Sequence, residues 1–282
     1  MTTAIVTDSL SDITSDIAER LDITVVPLTV LFGHEAFLDR VTITAEQFYD
    51  RLIHGPVWPT TTQPTPAAFA EVYEKLAQKS NEILVVTLSK KMSGTYQSAT
   101  GAIPMVKKNC RIEVIDSETV AMGLGLIVMA AARQAQKGAN LKDLADFVNR
   151  CKARSHFIAY FDTLKYLAKG GRIGKAQGLL GSLLSVKPLL TVKEGEMAPV
   201  TRVRSLAAGM DYLYNLIVGY GDRIEAVAIE HTTTIEEADK LAERVSAVVA
   251  KERIVRSTVS PVLGTYGGPG AVAVTVFEAE SK

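Results

Sequence analysis

Glu82 to Leu88 reads EILVVTL, a run that is apolar at nearly every position. A strand with one wet face alternates polar and apolar residues, so a strand without that alternation must be covered on both faces. Thr3 to Thr7 (TAIVT) has the same character, and Arg111 to Ile115 (RIEVI) is a third short run. A helical pattern follows each one: Asp12 to Leu21, from about Gly94, and Glu118 to Gln136, with a further helix at Leu141 to Ala153. This β–α alternation predicts a parallel sheet with helices on both sides.

Local signals place the connections. Pro27 breaks Ile23 to Phe32 into two strands, because proline cannot donate to a central ladder. Thr44 to Gln47 is a capping box that opens a helix to His54. Gly55 to Pro66 (GPVWPTTTQPTP) predicts an irregular loop, after which Thr65 caps a helix with Pro66 in its first turn. From Phe157 onward the pattern changes. A strand (FIAYF), a glycine- and leucine-rich short helix after Gly174 and a hairpin around Glu194 to Glu196 come first. A helix from Leu206, a strand at Ile224 to Ile229, a helix at Glu236 to Ala250 and two last strands complete it. Hairpins predict a mixed or antiparallel sheet, so the expected lobes are 1–155 and 156–282, both α/β.

The 282 residues, 47% hydrophobic, suffice for one large core or two medium ones. With 31 basic and 31 acidic side chains, nothing in the net charge favours nucleic acid as a partner. Cys110 and Cys151 form no metal or disulfide pattern. The N-terminus lacks the plan of a secretory signal, and the most apolar stretch, Gly123 to Ala132, is too short to span a bilayer. The expectation is a cytoplasmic protein with no transmembrane segment, a reading that allows transient membrane contact.

Open parallel sheets bind ligands beyond the C-terminal ends of their strands. Asp8, Ser9, Ser93, Gly94, Thr95, Asp116 and Ser117 fall there, and the 55–66 loop adds Thr60, Thr61, Thr62 and Gln63. A rim of small hydroxyls beside a helix start suits one compact anion, a carboxylate or a phosphate. Singly, each is equally a helix cap or turn former. Ser93 as a nucleophile would need a base, and no GxSxG elbow surrounds it. Gly170 to Lys175 (GGRIGK) lacks the leading glycine of a phosphate loop, and Ala176 stands where the magnesium-binding hydroxyl belongs. No paired metal-ligand motif is present.

Several motifs run in order along the chain: Asp8-Ser9, Pro59 to Pro66 (PTTTQPTP), Ser93 to Ala99 (SGTYQSA), Asp116-Ser117, Leu164 to Ile173 (LKYLAKGGRI), Lys187-Pro188 and Gly268 to Gly270. Together they resemble the DegV family, bacterial fatty-acid-binding proteins that serve a fatty acid kinase. The resemblance implies two α/β lobes, an acyl chain buried mostly in the second, and a carboxylate held between them. It also implies that a separate kinase subunit phosphorylates that carboxylate within a system supplying phospholipid synthesis. The chain itself would be a carrier without catalytic residues, metal or cofactor. By the same resemblance Thr61 and Ser93, with Thr62 and Gly94, bind the carboxylate, and Arg202 and Arg172 meet the kinase; the Tyr266 hydroxyl is expected to point toward the same carboxylate. The sequence departs from the family at Tyr266, where a histidine is usual, and at Ser205-Leu206, where relatives are more basic.

Burial contributes about 0.8 kcal/mol per methylene, so a dozen methylenes give on the order of 10 kcal/mol before association costs. Leu179, Leu180, Leu183, Leu184, Val186, Leu213, Leu216 and Ile217 are an ample apolar supply for a tunnel. Two other readings remain: a hydrolase or phosphoryl-transfer enzyme that uses Ser93 with a base, and an interaction module without lipid.

Overall fold

The computed structural model describes residues 2–182 and 186–280. In the first half the strands are β1 (Ala4–Asp8), β2 (Ile23–Val26), β3 (Thr29–Phe32), β4 (Glu35–Leu38), β5 (Thr60–Thr62), β6 (Glu82–Thr87) and β7 (Arg111–Asp116). In the second they are β8 (Ser155–Tyr160), β9 (Lys187–Lys193), β10 (Glu196–Val203), β11 (Ile224–His231), β12 (Ile254–Thr258) and β13 (Val272–Glu278).

Among the described residues these strands form three sheets. The first is all parallel, in the order β2-β1-β6-β7. Its apolar character matches its cover: Ile83, Leu84, Val85 and Val86 are fully buried. The second has the order β10-β9-β8-β13-β11-β12, antiparallel except for the β11–β12 pair. The third joins β4, β3 and β5 in antiparallel pairing.

That third sheet corrects the expected irregular loop. Thr60 to Thr62 pairs with Leu31, Val30 and Thr29. Three residues between Pro59 and Pro64 are enough for an edge strand, the one place in a sheet that tolerates flanking prolines. The helix expected from Glu118 begins later, at Met122–Gln136, because Glu118 and Ala121 adopt positive φ angles of 58° and 56°. The capping box at Thr44 and the Thr65 cap form as expected.

The Met122–Gln136 helix lies between the parallel and mixed sheets, and one core unites Ile5 and Leu84 with Phe157, Ala159 and Ala273. Alternation along β8 and β13 gives the mixed sheet two different faces. Ile158, Tyr160, Val272, Val274 and Val276 face outward, against Met210, Leu213 and Ile217 of the Leu206–Tyr220 helix. Phe157, Ala159 and Ala273 face inward. Leu213, Leu216 and Ile217 therefore fill the outer core instead of lining an inner tunnel. Leu183 and Leu184 lie outside the described residues.

Candidate functional site

An internal slot opens where the inward face of the mixed sheet meets the loops of the parallel sheet. It encloses about 900 Å³ of empty space, counted with the solvent at its mouth. Its walls include Leu10, Leu28, Leu88, Phe157 and Met197, with Ala159, Ala271 and Ala273 along the sheet. The alanines leave room: Ala159 and Ala273 face inward, where their neighbours Ile158, Tyr160, Val272 and Val274 face outward. Leu179, Leu180 and Val186 are absent from the lining, which among the described residues both halves build from other side chains.

The polar lining consists of Thr61, Gln63, Ser93, Arg172, Thr232 and Tyr266. Thr61 and Tyr266 share a hydroxyl–hydroxyl hydrogen bond of 2.5 Å across 205 residues of chain. The pairing of β5 with β3 delivers Thr61, and the short helix Pro261–Gly267 delivers Tyr266. Tyr266 is thus on a helix. Ser93 Oγ lies 2.9 Å from Thr95 Oγ1 and accepts from the Thr95 amide.

Arg172 was expected on a docking surface, and the structure also places it in the slot wall. Its Nε donates to the Met92 carbonyl at 3.2 Å, and a terminal nitrogen donates to the Gly170 carbonyl at 2.8 Å. Its guanidinium carbon sits 5.1 Å from the centre of the Tyr266 ring. Among the described residues, Arg172 is the lysine or arginine in the lining.

Thr62 is exposed, on the opposite side of β5 from Thr61, and does not line the slot. Gly94 lines a second, polar cleft with Lys90, Lys91 and Gly171, and that cleft shares Met92, Ser93, Arg172 and Met197 with the slot. Arg202 is exposed on β10, and neither cavity includes it.

The remaining rim residues serve the fold. Asp8 accepts from the Leu10 and Leu88 amides, Ser9 donates to Asp39, and Asp116 accepts from Lys90 and Glu118 amides. Burial pushes the carboxyls of Asp8 and Asp39 up to about 7. None of the histidines lines the slot; His231 is buried, with Nδ1 3.3 Å from the Thr232 carbonyl, and burial lowers its pKa. Sequence reasoning missed Met92 and Thr232 and found Gln63 only as part of the hydroxyl-rich loop. The alanine positions in β8 and β13 were the available signal for the wall.

Fold and cavity define an α/β protein with an apolar internal slot whose mouth is hydroxyl-rich and carries one guanidinium. The chain belongs to the DegV family: the family model described as "Uncharacterised protein, DegV family" matches residues 2–279. A DegV domain-containing protein of Caldanaerobacter subterraneus is 38% identical over 275 residues, 96% of this chain and 97% of the relative. Among solved structures, a fatty-acid-binding DegV family protein from Thermus thermophilus superposes with a TM-score of 0.91 at 28% identity, covering 99% of this chain and 100% of that one. DegV of Bacillus subtilis, described as a fatty acid binding protein, gives a TM-score of 0.89 at 29% identity, covering 98% and 99%.

Proposed function

We propose that this protein binds one long-chain fatty acid, with its tail in the slot and its carboxylate at Thr61, Ser93, Tyr266 and Arg172. The observation that carries this reading is the slot's composition: an apolar tube ending in hydroxyl donors and a single cation. Methylene burial supplies the affinity, and the mouth fixes which end of the ligand faces out. Hydrogen bonds to a charged group contribute about 1.5–3 kcal/mol each, so a few donors complete a tight site. In this reading residues 1–155 and 156–282 act as two lobes that close on the ligand.

The polar cleft beyond Ser93 and Arg172 offers a path to the carboxylate from outside. That supports presentation of the head group to a separate fatty acid kinase in the cytoplasm, as a step toward phospholipid synthesis, with Arg202 on the docking side. Denaturing extraction and mass spectrometry of protein purified from a bacterial host should yield about one fatty acid per chain. Lipid-free protein that takes up no added fatty acid would defeat the proposal.

A further inference from the structure

Beneath the apolar floor of the slot lies a cluster of carboxyl groups sealed from water. Asp12 and Glu230 are both fully buried, one in the first half and one in the second. Asp12 Oδ1 accepts from Arg40 at 3.0 Å and from the Ser260 amide at 3.2 Å. Glu230 Oε2 accepts from the Met122 amide at 3.1 Å. Arg40 also donates to the Thr258 carbonyl, and Ser257 Oγ donates to the Asp12 carbonyl at 2.6 Å. Each of these bonds except Arg40–Asp12 joins the first half to the second.

The remaining oxygens, Asp12 Oδ2 and Glu230 Oε1, are buried and have no partner. Buried acceptors without a donor are rare and costly. Asp12 and Glu230 share one buried cluster, and each acts directly on the other's ionisation. A single proton placed between them satisfies both oxygens at once, as two carboxyls sharing one site require.

We propose that Glu230 is protonated in the folded protein and donates to Asp12, and that this one-proton bond is a latch positioning the slot floor between the two halves. Asp12 is the partner that stays ionised, because Arg40 is beside it. Burial and the neighbouring Asp12 charge both raise the pKa of Glu230 well above the ordinary carboxyl value. Among the described residues the other ionisable groups facing the pair are Asp8, Asp39 and Tyr49, with Arg40 as the cation. Slot residues Leu10, Val120, Ala121, Thr232, Val259 and Val262 each lie within two residues of Asp12, Met122, Glu230 or Ser260. Loss of the proton would place two buried negative charges against each other directly under the acyl chain. The latch does not depend on the fatty-acid reading; only its effect on ligand retention does.

The folded pKa of Glu230 lies above its unfolded value. Its contribution to stability is therefore full below about pH 4.3 and is lost as pH rises toward the folded pKa. Glu230→Gln keeps shape and one donor but cannot ionise. Urea unfolding of ligand-stripped wild type and E230Q between pH 4.5 and 8 tests the latch. The folding constant of wild type relative to E230Q should fall by up to tenfold per pH unit until Glu230 titrates. A ratio constant across that range overturns the proposal. If E230Q does not fold, the carboxyl ¹³C shift of Glu230 in wild type decides: its midpoint should lie well above the free value of about 4.3, and a midpoint at that value overturns the latch. Fatty-acid dissociation rates give the slot arm. Wild type should release ligand increasingly faster than E230Q as pH rises, and parallel rates alongside a sloping stability ratio would sever the latch from the slot.

Discussion

At the mouth of the slot, Thr61, Ser93 and Tyr266 keep half-buried hydroxyls, and Arg172 leans over the tyrosine ring. At its floor, Asp12, Asp39 and Glu230 are sealed among Arg40, Ser9 and backbone amides. The mouth has donors to spare and no carboxylate of its own in the lining; the floor already holds more carboxyl groups than cations. An incoming anion therefore has one end to choose. In the proposed reading, polar groups at the mouth are completed by a ligand, and those at the floor by one another.

The largest way to break that division is Asp12→Ala. It leaves Arg40 without its anion and Glu230 without its partner, and disrupting a buried pair costs about 3–5 kcal/mol. Because Arg40 keeps some solvent contact, the expected loss is about 3 kcal/mol in urea unfolding. Ser93→Ala should change stability by less than about 1 kcal/mol, and a larger loss would make Ser93 a fold residue.

A titration separates the regions next. Asp8 and Asp39 have folded pKa values raised to about 7, so their stabilisation is full below about pH 4 and declines as pH rises to about 7. Thermal unfolding of wild type should show that decline, and Asp39→Asn should flatten it. An unchanged slope in the variant would remove Asp39 from the account.

At the mouth, Tyr266→Phe keeps the ring and deletes the oxygen that meets Thr61. Fatty-acid affinity should fall about tenfold, the worth of one hydrogen bond to a charged group. Added to Ser93→Ala, its cost should be non-additive, since both groups act on one anion. Unchanged affinity would leave the tyrosine as a packing element. The smallest expected effect is that of Arg202→Ala, which should leave affinity within about twofold while weakening phosphorylation of the bound acid by a fatty acid kinase. Loss of lipid from that variant would turn Arg202 into a ligand residue.

The parallel sheet was legible because Ile83 to Val86 declare their two-sided cover in every side chain. The helix caps were legible because Thr44 and Thr65 act on neighbours within three residues. The slot was not. Its wall depends on which face Ala159 and Ala273 turn inward, and its floor on Asp12 meeting Ser257 and Ser260 across nearly the whole chain. Such distant meetings leave no periodic trace. Thr61 and Ser93 could be picked out as small hydroxyls near strand ends. Their separation from Asp8, Ser9 and Asp116, which look the same in sequence, required knowing who bonds to whom.

Two tyrosines and two glycines give a consequence for how such a chain can change. A methyl group at Gly170 would overlap the ring of Tyr266, and one at Gly268, where φ is +69°, would overlap the ring of Tyr166. Gly170 and Tyr166 belong to one motif, and Gly268 and Tyr266 to another about a hundred residues later. Each motif leaves out a side chain so that the other can insert a ring. Neither can drift alone: a larger residue at 170 demands a smaller one at 266, and at 268 the positive φ favours glycine even beside a smaller residue at 166. Across related chains the two motifs should be inherited as a matched set, like the halves of a single key.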